Sequence, residues 1–108
     1  MVETTNTETA TALETTKTFT LNECGFIKAI VLVLPNFTTA TEVSTLEVYD
    51  KDDHLIYTNS TAWAENTTHL ITSISVPVNY GYYIKLTLDG ASGGSHNITI
   101  KTYINTQE

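Results

Sequence analysis

Residues 80–104 read YGYYIKLTLDGASGGSHNITIKTYI. Tyr82, Ile84, Leu86 and Leu88 fall at every second position, with Tyr83, Lys85 and Thr87 between them. After a Gly-rich break, Ile98, Ile100, Thr102 and Ile104 repeat the pattern. Successive side chains of a strand point to opposite faces, so a period of two marks a strand with one buried face. The stretch predicts two strands joined as a hairpin across Asp89–Ser95.

The same reading extends in both directions. HLITSISVPV (69–78) sets Leu70, Thr72, Ile74 and Val76 on one expected face. Residues 44–58 predict a second hairpin, with Leu46 and Val48 on one face and the polar turn Asp50–Asp53 at its tip. GFIKAIVLVLP (25–35) is almost continuously apolar and rich in β-branched residues. It predicts a strand covered on both faces, stopped by Pro35. In KTFTL (17–21), Phe19 and Leu21 share a face. No 3.6-residue period persists, and Thr content opposes a helix in TATALETTK (9–17). Seven or so short strands in about 90 residues predict an all-β fold. We expect a single small antiparallel β-sandwich, jelly-roll-like, over residues 18–105, with a closed barrel as the competing form. Residues 106–108 form a C-terminal tail.

Residues 1–17 differ in kind. Nine of the first twenty residues are Thr, and apolar residues are sparse. Such a segment cannot offset its own ordering entropy, yet Thr favours extended backbone. We expect an extended N-terminal arm, disordered unless it adds to a sheet edge or lies in a neighbour's groove. Its candidate contact residues are Thr4, Thr5, Thr7, Thr9, Thr11, Leu13, Thr15 and Thr16. Trp63 in a polar surround and Tyr83 opposite the apolar face of its strand are the aromatic interface candidates.

Composition excludes several classes of function. The 108 residues carry a net charge of −7, and all five basic residues are Lys. A nucleic-acid partner requires a positive footprint, and an anionic membrane surface favours one. We expect neither partner. No apolar run reaches membrane-spanning length. The first residues lack a signal-peptide pattern, and Met1 argues against a processed secretory start.

Chemistry-bearing motifs are sparse. Cys24 stands alone and is expected to be a small buried side chain. His54, His69 and His96 are scattered, so a metal site is not expected. Asp50, Asp52 and Asp53 begin like a calcium loop, but the following Gly and distal Glu are missing, and a turn is the better reading. No Ser lies in a G-x-S-x-G context, and the Gly-rich 90–95 loop leads into a strand, where a phosphate cradle needs a helix. We expect no catalytic residues and no cofactor. Asn36, Asn59, Asn66 and Asn97 head Asn-x-Ser/Thr triplets, which a Thr-rich chain produces by chance.

The arm, the hairpin LEVYDKDDHLIYTNS (46–60) and the segment GYYIKLTLDGASGGSHNITIKTYI (81–104) together resemble small virion β-sandwich proteins of tailed bacteriophages, especially head decoration or cement proteins. The likeness spans Phe19 to Ile104 and rests on strand rhythm. It implies a non-enzymatic structural protein on the capsid surface, binding the major capsid protein and stabilising the head. A trimer or dimer, with the arm making contacts, is implied too. A head–tail or tail accessory role is the alternative within the virion. The same rhythm is similar to bacterial pre-peptidase C-terminal domains. That likeness implies an extracellular carbohydrate- or surface-binding module; such a module needs an exposed aromatic platform, for which Trp63, Tyr80 and Tyr83 are the candidates.

Overall fold

A computed structural model describes residues 1–106; Gln107 and Glu108, which make up most of the expected tail, lie outside the described residues. Ten strands run in chain order: β1 (Val2–Ala10), β2 (Thr16–Thr20), β3 (Gly25–Leu34), β4 (Glu42–Tyr49), β5 (Leu55–Asn59), β6 (Trp63–Ala64), β7 (Thr67–Ile71), β8 (Val76–Val78), β9 (Tyr83–Leu88) and β10 (His96–Asn105). There is no helix among the described residues, so no helix is long and apolar enough to cross a membrane.

One sheet has the order β1-β10-β3-β7, with β8 also on β3. The other has the order β2-β9-β4-β5, with β6 also on β4. All pairings are antiparallel. Counting β5 with β6 and β7 with β8 as interrupted strands gives eight strands in two sheets, the jelly-roll arrangement. The expected all-β sandwich is present. Its core lies between the sheets, with Phe19, Ile27, Ile30, Leu32, Leu46, Ile84, Leu86, Ile98, Ile100 and Ile104 fully buried.

Three expectations change. The strands at 83–88 and 96–105 do not form a hairpin. β9 pairs with β2 and β4 in one sheet, and β10 pairs with β1 and β3 in the other. Both alternations are real, but they face each other across the core. The connecting loop bridges the sheets and is held from below. Ser92 N–H donates to the Glu14 carbonyl at 3.2 Å and Gly93 N–H to the Ala12 carbonyl at 3.1 Å. By contrast, β4 and β5 do pair as a hairpin. The Asp50 carboxylate accepts from the Asp52 and His54 N–H groups, each at 2.9 Å, which closes the turn.

The face assigned to Leu70, Thr72, Ile74 and Val76 holds for Ile74 and Val76, which meet the core, but is out of phase at Leu70. Leu70 is 66% exposed while Ile71, Val76 and Val78 are buried. β7 ends at Ile71, Ser73 turns at φ 60°, and β8 restarts at Val76. A break of this kind shifts the alternation, and a one-residue slip exchanges the faces. β3 sends Ile27, Ile30, Leu32 and Leu34 into the core, while Ala29, Val31 and Val33 on its other face are half-buried by neighbouring strands. Its continuous apolar sequence reflects a central place in the sheet rather than a second covering layer within this chain.

The N-terminal segment is extended, and its own chain holds it. β1 lies along β10, from Val2 opposite Ile104 to Ala10 opposite His96. Thr16 and Lys17, the last residues of the expected arm, begin β2. The sandwich therefore draws on both sides of the boundary at residue 17.

Candidate functional site

The flank formed by β1 and β2 is the part of the molecule whose chemistry departs from its surroundings. In β1, Val2, Thr4, Asn6, Glu8 and Ala10 face inward, and Glu3, Thr5, Thr7 and Thr9 face solvent. An inward-facing set would ordinarily be apolar; here only its two ends are. Thr4 compensates through its hydroxyl, which pairs with the Thr102 hydroxyl. Thr102 is 2% exposed and sits between Ile100 and Ile104 on the core face of β10. Asn6 Nδ2 reaches across the flank to the Thr20 carbonyl of β2 at 3.3 Å.

These short polar side chains leave space. A cavity of about 240 Å³ lies between β1 and β2, with Phe19, Leu21, Ile84 and Ile100 as its apolar floor. Thr4, Asn6, Thr20 and Thr102 are part of its polar wall.

On the solvent side, hydroxyls tie β1 to β10. Thr7 and Thr99 share a hydrogen bond at 2.9 Å, and the Thr9 hydroxyl donates to Asn97 Oδ1 at 2.6 Å. Lys101 lies 3.7 Å from Glu3. The connection to β2 is pinned as well. Glu14 Oε1 accepts from the Thr11 N–H at 2.7 Å and from the Thr11 hydroxyl at 3.0 Å. These bonds, with Lys17 beside it, hold the Glu14 carboxyl below the usual carboxylate range. Ser92 Oγ donates to the Thr11 carbonyl, and Leu88 N–H donates to the Thr15 carbonyl at 2.8 Å. Leu13 is exposed at the tip of this connection, and Thr16 pairs opposite Thr87.

The outer edge of β1 is open. Among the described residues β1 pairs with β10 alone, so its other backbone edge faces outward. It contains no Pro and no Lys. Natural sheets blunt such edges with short strands, Pro, bulges, inward-pointing charges or charged side chains, Lys above all. β1 carries only Glu3 and Glu8 as charges.

The two aromatic candidates fall elsewhere. Trp63 is 5% exposed and belongs to the core, which removes it from any platform. Tyr83 stacks on Tyr49, centroids 5.2 Å apart, and donates its hydroxyl to Asp53 at 2.7 Å. That bond to a carboxylate pushes the Tyr83 phenol up to about 12. Tyr80 is exposed. Cys24 is exposed, contrary to expectation, on the link between β2 and β3, where the chain surfaces between the core residues Leu21 and Ile27.

The histidines make separate local bonds. His54 Nδ1 meets Asp50 at 3.0 Å, His69 Nε2 meets the Ala64 carbonyl at 2.8 Å, and His96 Nε2 meets the Thr38 hydroxyl at 3.0 Å. Among the described residues no group of three or more His, Cys, Asp or Glu converges for a metal. Sequence reasoning named the outward Thr residues of β1 but missed Glu3, Asn6 and Glu8. The period of two in Thr5, Thr7 and Thr9 is the signal that finds the strand.

No protein-family model matches the chain, and no curated protein does. Among solved structures, it is similar to a protein from the disulfide-linked pili of Bacillus endospore appendages, at 18% identity and TM-score 0.45, over 96% of this chain and 88% of that one. It is similar to the Drosophila NLP core, at 19% identity and TM-score 0.37, over 98% and 100%. A third likeness, to a Paenibacillus barengoltzii β-glucosidase, has 13% identity and TM-score 0.39, and covers 91% of this chain but 10% of that one. All three are loose resemblances of shape. What the chain's own geometry defines is a jelly-roll sandwich with one long, open, Thr-faced sheet edge.

Proposed function

We propose that this chain is a non-enzymatic structural subunit that joins other protein chains of a surface assembly through the free edge of β1. The observation that carries the reading is the nine-residue edge strand without Pro or Lys and, among the described residues, without an outer partner. An extended backbone edge of this kind binds by strand addition, in which main-chain hydrogen bonds supply affinity and side-chain register supplies selectivity. The Thr side chains keep the edge soluble while fitting a pleated surface.

The sequence likeness to phage decoration proteins supplies the particular assembly. In this proposal the subunit sits on the capsid surface, contacts the major capsid protein and stabilises the head. Many weak copies on a lattice add avidity. A carbohydrate-binding role has less to work with, since Trp63 is buried and Tyr83 is engaged with Tyr49 and Asp53.

The test is co-sedimentation with undecorated phage heads. The wild-type chain is expected to bind. A Thr5→Lys/Thr7→Lys variant, whose changes point to solvent, is expected to fold normally by circular dichroism and to lose binding. Equal decoration by both proteins, or no binding by the wild type, would overturn the proposal.

A further inference from the structure

The length of β1 limits what its edge can fit. β2, β5 and β7 are edge strands of five residues each, and β6 and β8 are shorter still. Among the described residues only β1 has a nine-residue edge, so only β1 of a second copy matches it in length. An edge that matches itself makes a two-fold interface in which one patch serves both subunits.

We propose that β1 pairs antiparallel with β1 of a second copy, about a two-fold axis at Asn6, merging the two five-stranded sheets into one continuous sheet. The proposal rests on the reading of the β1 edge as a contact surface and gives that edge to a second copy, so the dimer meets the capsid through its remaining surface and loses avidity when the edge is disrupted.

Side-chain faces and charge select the register. Directly opposite residues point to the same face, so inward residues must oppose inward ones and outward residues outward ones. In the full-length register centred on Asn6, Val2 opposes Ala10, Glu3 opposes Thr9, Thr4 opposes Glu8 and Thr5 opposes Thr7. No carboxylate faces another. Registers centred on Glu3 or Glu8 set Glu against Glu, which destabilises a cross-strand pair. Registers centred on Thr5 or Thr7 avoid that clash but leave two residues at one end of each strand unpaired. The two glutamates thus exclude the registers centred on themselves, and among the registers free of Glu–Glu pairs the one centred on Asn6 has the longest overlap.

Exchange of whole strands between copies is a different geometry, and the connection opposes it. Opening the hinge at Thr11–Thr15 breaks the Glu14 turn and the bonds to Ser92, Gly93 and Leu88. Edge pairing leaves all of these intact.

The experiment measures dimerisation of the full chain by sedimentation or light scattering under reducing conditions, since Cys24 is exposed. Three variants all replace the Thr9 hydroxyl that donates to Asn97: Thr9→Gln, Thr9→Lys and Thr9→Glu. The Lys variant sets a cation against the partner's Glu3 twice per dimer and is expected to tighten association roughly 2- to 30-fold relative to Gln. The Glu variant is expected to weaken it by a similar factor. Raising salt should tighten the wild-type dimer, because two chains of charge −7 repel each other. A chain that stays monomeric at every concentration overturns the proposal, as does a dimer whose affinity ignores the charge at position 9. Loss of head binding by Thr5→Lys/Thr7→Lys in a monomeric protein would leave the β1 edge as a contact surface while refuting self-pairing.

Discussion

The hydroxyl pair between Thr4 and Thr102 reports whether β1 is seated on its own chain. Valine has nearly the shape of threonine, so each position can lose its hydroxyl with little change in packing. Thr4→Val removes the partner of the Thr102 hydroxyl, on a residue that is 2% exposed. A buried polar group left unsatisfied costs about 1–3 kcal/mol. The adjoining cavity of about 240 Å³ has room for water, whose share of liquid volume is about 30 Å³, so the loss should sit near the lower end, at about 1–2 kcal/mol. Thr102→Val is expected to be neutral or mildly stabilising, because Thr4 is half-exposed and regains water. The double variant should also be close to wild type, since replacing both partners with apolar groups of the same shape is nearly neutral. The coupling energy is then the double-variant change minus the two single changes, about 1–2 kcal/mol in magnitude. Urea denaturation of the four proteins measures it. Zero coupling, with Thr4→Val as stable as wild type, would refute the seating of β1 on β10.

Further predictions concern the rest of the sandwich. Trp63→Ala should cost about 3–5 kcal/mol in chemical denaturation, because the indole fills the core beside β4. Gly25→Ala should cost about 1–3 kcal/mol or more, since a Cβ would collide with the Asn105 backbone carbonyl at a φ of +154°. Asp89 is held below the usual carboxylate range by the Thr41 hydroxyl and N–H, and Asp50 by the His54 N–H. Both contribute stability above the unfolded carboxylate pKa of about 3.9, and it is lost as pH falls through their depressed folded values. Stability should therefore decline below about pH 4, less steeply in Asp89→Asn than in wild type, as read by thermal melts.

The alternations at 82–88 and 98–104 and the burial of Phe19 and Leu21 were legible because each is a local pattern with a local cause. The Asp50–Asp53 turn was legible for the same reason, since Asp50 binds backbone groups within four residues. What failed was long-range. The chemistry of β9 and β10 is the same whether they pair with each other or face each other across a core, so sequence cannot choose between hairpin and crossover. The phase error at Leu70 came from a break at Ser73 that no Gly or Pro announces. β1 was the hardest case. Its inward positions hold Thr4, Asn6 and Glu8, so hydrophobic patterning reads the strand as unfolded arm. Its backbone bonds to β10 and its hydroxyl ladder to Thr102, Thr99 and Asn97 come from residues almost the whole chain away.

Amide hydrogen exchange across residues 2–10, at low and high protein concentration, tests the central claim most directly. In an antiparallel edge strand, alternate N–H groups point to the neighbour and the rest point outward. The account expects alternate amides of β1 to be protected in dilute protein and the remaining set to become protected as concentration rises. Uniformly fast exchange would contradict the seating of β1 on β10, and alternate protection that ignores concentration would contradict its pairing with a second copy.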